Sequence, residues 1–219
     1  MIYYLPGCDV KKNHEQSIVA LTEYLKNQGI ETISCCRDDL SFIQKGDTII
    51  HNCTLCQILL EARVKDVKII SVYEYLLNDS HFQWPHFNKT YVLQHCLRMK
   101  DHIAFINAIK GCLNKMNIQY IELEKDYSRL DFCGVWLNNP ADPICEKLAP
   151  ESFAKFNWQR TILNKNEQIQ KMNDYVKQYP LDDVIVYCNG CEKGLKLTHV
   201  QPVHIIELIT YHFMKRETV

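Results

Sequence analysis

One order of cysteines occurs twice along this chain, and it constrains the fold more than any other feature. The first run is Cys8, the adjacent Cys35 and Cys36, then Cys53-x-x-Cys56; the second is Cys96, Cys133, then Cys188-x-x-Cys191. In the second run Phe132 stands where the first member of the adjacent pair would be. Cys96 follows Cys8 by 88 residues, and apolar positions obey the same displacement. Ile18, Leu21 and Leu25 fall on Ile106, Ile109 and Leu113, spaced to share one helix face, and Ile30 and Ile33 fall on Ile118 and Ile121. A chain that repeats itself in this way is expected to fold as two like units.

Each run reads as strand, cysteine turn, amphipathic helix, strand. The first strands are IYYL before Gly7-Cys8 and TYVLQH before Cys96. A second β-rich run leads into each C-x-x-C, DTIIHN before Cys53 and DVIVY before Cys188, and helical patterns follow in QILLEAR and VHIIELITYHF. Strands alternating with helices predict an α/β protein of two pseudo-repeated, small Rossmann-like units with parallel sheets and cysteines on loops at the strand ends. In such sheets, loops at the carboxyl ends of strands build the sites. The units are expected at 1–89 and 90–219. The second carries an insertion at about 137–180 that contains NNPADP and a helix through NKNEQIQKMNDYVKQY, suited to covering or docking.

A net charge of −1 gives no electrostatic case for nucleic acid or an anionic membrane. No apolar run reaches the length of a membrane span, and MIYYLPGCDVKK has no leader pattern, so a cytoplasmic location is expected. In a reducing compartment, 11 cysteines call for metal binding or redox chemistry rather than structural disulfides. Neither G-x-G-x-x-G nor a Walker motif is present. Electrons for any redox step would therefore come from another chain.

Cys35 and Cys36 cannot easily bond each other across one peptide link. Thiolates are soft ligands that suit zinc or iron-sulfur clusters. Zinc takes four ligands, so the first set of five overfills it and leans towards a cluster; the second set of four suits either. Cys112 shares a helix stripe with Phe105, Ile109 and Met116 and is expected in the core, whereas Cys145 has no counterpart and reads as a free or accessory thiol. His51 and His95 flank the cysteines and read as core or supporting residues, a chemical role at the site being the alternative. Arg37 and Arg98 offset thiolate charge, bind an anionic substrate or lie solvated on the surface.

The doubled order, with Gly7-Cys8, Cys35-Cys36 and Cys53-x-x-Cys56 followed by Cys96, Phe132-Cys133-Gly134 and Cys188-x-x-Cys191, resembles the duplicated cysteine-rich CCG domain of the heterodisulfide reductases and of related iron-sulfur oxidoreductases. The resemblance implies a non-cubane [4Fe-4S] cluster on Cys8, Cys35, Cys36, Cys53 and Cys56. Cys96, Cys133, Cys188 and Cys191 would hold a second [4Fe-4S] cluster or zinc. It further implies an oxidoreductase subunit engaged in disulfide reduction or electron transfer, with a flavin or iron-sulfur protein as electron donor and a small disulfide as substrate. Arg37 where the family has glycine, and Phe132 in place of a ligand, depart from the pattern. The alternatives are a zinc-stabilised interaction module and a metal or cluster trafficking protein.

Overall fold

The computed structural model describes residues 1–214 of the chain. The first unit runs β1 (Ile2–Leu5), α1 (Cys8–Asn13), α2 (Glu15–Lys26), β2 (Glu31–Thr32), β3 (Thr48–His51), α3 (Thr54–Arg63), β4 (Lys68–Ser71) and α4 (Val72–Leu77). The second opens with β5 (Thr90–Leu93), α5 (Ile103–Lys115) and β6 (Gln119–Glu122). Three helices of the insertion follow, α6 (Pro143–Leu148), α7 (Pro150–Asn157) and α8 (Lys165–Val176), and the unit closes with β7 (Asp183–Val186), α9 (Asn189–Leu195), β8 (Gln201–His204) and α10 (Ile205–Met214).

The two four-stranded sheets have the same order, β2-β1-β3-β4 and β6-β5-β7-β8, and every pairing is parallel. The α/β class with two Rossmann-like units is what the alternation of strands and helices predicts. Parallel strands need a crossover between them, which the helices supply, and helices on both faces leave the central strands dry. Tyr4, Leu5, Ile49, Ile50, Val92, Leu93, Val184 and Ile185 are accordingly buried. Three local readings change. The Ile30–Ile33 strand shortens to the two residues of β2. VHIIELITYHF divides into the end of β8 and the start of α10 at Ile205. The β4–α4 pair had no counterpart in the pattern, although SVYE carries its signature: Ser71 accepts from the Glu74 amide while the Glu74 carboxylate accepts from the Ser71 amide.

The halves meet through α2 against α10 and α4 against α5. Because α2 corresponds to α5 and α4 to α10, the two contacts are equivalent and related by a pseudo-two-fold, as in an isologous dimer interface. The helices approach closely where Gly111 faces Leu77; a Cβ there would lie 2.8 Å from Leu77 Cδ1. Cys112 sits in the same contact, fully buried, with its thiol 3.8 Å from the Tyr73 carbonyl. Its place is in packing, as the stripe predicts.

The insertion does not stand apart. α6 packs on α3 of the first unit, and a 3-10 turn over Gly134–Asn138 packs on α9. Phe153 and Phe156 of α7 anchor it edge-on against Trp136.

Candidate metal centre

In each sheet the chain leaves the first central strand (β1, β5) for one edge and returns to the second (β3, β7) beside it. Loops at the carboxyl ends of these neighbours diverge and leave a crevice. Cys8 follows β1 and Cys53 follows β3; Cys96 follows β5 and Cys188 follows β7. The topology thus brings cysteines far apart in sequence to one end of each sheet.

Gathering is tight in the second unit. The sulfurs of Cys96, Cys133, Cys188 and Cys191 all lie within 4.8 Å of one another, and all four residues are buried. Cys96 Sγ is 3.4 Å from Cys133 Sγ, which is 3.9 Å from Cys188 Sγ. Four thiols gathered in this way form a donor set able to bind a metal ion or a cluster. Gly134 makes the approach feasible: with φ at +50°, a Cβ there would lie 2.1 Å from the Gly190 carbonyl oxygen. No side chain fits between the Cys133 loop and the turn of the C-x-x-C.

Charge is balanced by Arg98. This arginine is buried, its Nε donates to Cys133 Sγ at 3.2 Å and its Nη2 to Cys188 Sγ at 2.9 Å, and the Trp136 ring covers it at 4.9 Å. Burial disfavours its charge, but the sulfurs of Cys133, Cys188 and Cys96 outweigh that and hold the guanidinium protonated. Burial also works against ionising Cys188, yet hydrogen bonds from Cys133, Cys191 and Cys96, with the Arg98 charge, pull its thiol well below the usual range. Surface solvation, one of the expectations for Arg98, does not hold. Behind the thiols, Tyr187 accepts from the Cys96 amide at 2.9 Å and meets His95 Nδ1 at 3.2 Å, while His95 Nε2 reaches Glu122 at 2.8 Å. His95 supports the loop and contributes no ligand.

The first set is more open. Cys8 is exposed, Cys35 and Cys53 are half-buried, and Cys36 and Cys56 are buried. Among the described residues only the second set forms a group of three or more side chains placed to hold a metal ion. Gly7, at φ +76°, lets the β1 turn pass the Cys53 turn; a Cβ there would lie 2.7 Å from Cys53 Cβ. A hydrogen bond from Cys56 pulls the Cys53 thiol down to about 7, and the same residue lowers Cys36. Cys8 shifts upward, through burial and then the Cys35 charge. Arg37 Nη2 lies 3.8 Å from Cys8 Sγ and its Nη1 lies 3.2 Å from Asp142 of the insertion. His51 is spent on structure, with its ring nitrogens against the Cys53 carbonyl and the Gln57 side chain.

A cavity of about 580 Å³ lies between the units, and members of both sets line it, Cys8, Cys36, Cys53 and Cys56 on one side and Cys188 on the other. Arg37, Arg98, Trp136 and Cys145 also line it, among charged side chains that include Lys12 and Lys193. Cys145 is therefore a buried cavity thiol contributed by the insertion. Phe132 lies elsewhere: its ring stacks on Tyr175 with centroids 4.1 Å apart and lines two other clefts.

One pair of residues goes unannounced by the cysteine order. His14 and His102, themselves 88 residues apart, each stand just before the first residue of a helix and reach the C-x-x-C helix of the opposite unit, His14 to Glu192 at 2.9 Å and His102 to Glu61 at 3.5 Å. The shared displacement was the available signal.

No family model and no curated protein matches the chain. Among solved structures it is similar to Picrophilus torridus aspartate racemase, with 12% identity over 98% of this chain and 93% of that chain at a TM-score of 0.32, a likeness too slight to carry an argument. Among the described residues no helix is long and apolar enough to cross a membrane.

Proposed function

We propose that this chain is a two-centre thiolate metalloprotein: Cys96, Cys133, Cys188 and Cys191 close round a single tetrahedral ion of the zinc class. Cys8, Cys35, Cys36, Cys53 and Cys56 bind an iron-sulfur cluster at the cavity and make the chain a component of an oxidoreductase. The spacing of the second set carries the first half of this reading. One ion bound at about 2.3 Å to four sulfurs sets them about 3.8 Å apart at the corners of a tetrahedron. The 3.4 Å and 3.9 Å separations bracket that value. A four-iron cluster attaches each thiolate to a different outer corner and needs wider spacing. Burial and two Arg98 N–H bonds further suit a closed, structural ion.

The openness of the first set supports the second half. Five thiols, one more than a tetrahedral ion takes, with one of them exposed and four lining the cavity, suit a larger inorganic group with access to a reactant. When bound, such a group would supply one-electron chemistry, and the doubled CCG-like cysteine order favours a disulfide as the reactant and a separate protein as electron donor. The chain's own residues hold the group, exclude water with Trp136 and α6, and set charge at the cavity through Arg37 and Arg98.

Metal and acid-labile sulfide analysis of anaerobically purified protein tests both halves. One zinc per chain, lost on Cys133→Ser, together with iron and sulfide lost on Cys35→Ser, is the expected result. Iron that disappears with Cys133→Ser would overturn the single-ion assignment. Zinc alone, after anaerobic reconstitution with iron and sulfide, would overturn the redox reading and favour a zinc-stabilised module.

A further inference from the structure

Two thiolate centres facing one cavity should repel each other. A divalent ion on four thiolates keeps a net charge of about −2, and a five-thiolate centre is also negative. Arg98 stands between them. It is buried, it makes no ion pair with a carboxylate among the described residues, and its hydrogen bonds go to Cys133 and Cys188 sulfurs while it lines the same cavity as Cys53 and Cys56. Trp136 covers one face at 4.9 Å and is itself covered by Arg160 at 4.4 Å, so the guanidinium is fixed between a ring and two sulfurs.

We infer that Arg98 is a positioning residue shared by the two cysteine sets, its one fixed charge offsetting the negative charge of each so that both can be filled at once. The inference rests on the single-ion reading of the second set. In chemical terms Cys133, Cys188 and Trp136 hold the guanidinium in place, and its charge would lower the electrostatic cost of an anionic group on either set. A role confined to packing would stabilise the second set alone.

The test is made on the full chain, purified anaerobically: zinc affinity of the second set, by competition with a chromophoric chelator, and iron and acid-labile sulfide retained by the first set, in wild type, Arg98→Met and Arg98→Lys. Arg98→Met is expected to weaken zinc by roughly 10- to 100-fold, the usual range for loss of a group that bonds to metal ligands. Iron and sulfide at the first set should fall as well, because the same charge faces that set across the cavity. Arg98→Lys should recover part of both, since an ammonium keeps the charge but cannot span two sulfurs in the same fork. Weakened zinc with iron and sulfide unchanged, or no change in either, overturns the shared role while leaving the single-ion reading intact. A wild-type chain that holds no zinc on Cys133 and Cys188 fails that reading and the shared role with it. Should Arg98→Met not fold, Arg98→Lys takes its place, with smaller losses expected at both sets.

Discussion

His14 Nε2 lies 2.9 Å from Glu192 Oε2, and this buried contact ties the first unit to the helix that carries Cys191. The second ring nitrogen meets Glu207 of α10 at 2.9 Å, and His204 lies beside the ring with centroids 4.6 Å apart. Burial disfavours a charged His14, but Glu192 and then Glu207 outweigh it and raise its pKa to about 9. His204 is pushed the other way, to about 4, first by burial and then by the His14 charge.

These directions predict stability against pH. The His14 contribution is fully present below the unfolded value of 6.5 and is lost as pH rises through about 9. His204, neutral in the fold, contributes above 6.5 and loses that contribution as pH falls towards about 4. Urea unfolding at pH 6.5 and pH 9 should show wild type losing about 1–3 kcal/mol more than His14→Gln over that interval. Thiol titration is common to both proteins and drops out of the difference. Parallel pH profiles would show that His14 is not charged in the fold.

Gly134→Ala should be far more damaging than Gly29→Ala, although both glycines have positive φ. A Cβ at Gly134 meets backbone at 2.1 Å, whereas at Gly29 it meets nothing within 4 Å. We expect about 3 kcal/mol or more of destabilisation and loss of zinc for the first, and about 1–2 kcal/mol with full zinc for the second. Thermal melts with metal analysis check this, and similar behaviour of the two variants would contradict the close approach of the Cys133 and Cys191 turns.

Phe132→Ala should cost about 3–5 kcal/mol through the cavity it leaves against Tyr175, with no change in metal content per folded chain. Denaturant unfolding measures the first and elemental analysis the second. A change in bound metal would mean that the ring touches the thiol set after all.

Zinc removal should loosen the second sheet first, because the ion would join loops that follow β5, β6 and β7 and its binding free energy is part of the folding free energy. Hydrogen exchange after chelation is expected to rise at Val92, Leu93, Val184 and Ile185 before Tyr4 and Ile50, all of which are buried. Uniform exposure of both sheets would show that the units unfold together.

Local chemistry made the repeat legible. Strand and helix periods follow from neighbours two to four residues apart, so β1, β5, α2, α5 and α8 could be read from the chain, as could the duplication that predicts two like sheets. Thiol type and order made the cysteines candidate ligands, and Cys112 revealed its packing role by sharing a stripe with Phe105 and Ile109. What the order could not decide was distance. The first set has more candidate ligands, yet the four in the second unit gather into a group placed to hold a metal ion, because Gly134 admits a backbone approach that no spacing records. Phe132 turned to Tyr175, Arg98 to two sulfurs and Cys145 to the cavity for the same reason. Each faces a partner brought near by the packing of distant elements, α8 for Phe132, the loop after β7 for Arg98 and the first unit's α3 for Cys145. Sequence sets which atoms can bond, and only the tertiary fold sets which of them come within bonding distance, since a contact between remote segments is fixed by the whole arrangement of sheets and helices rather than by any local pattern.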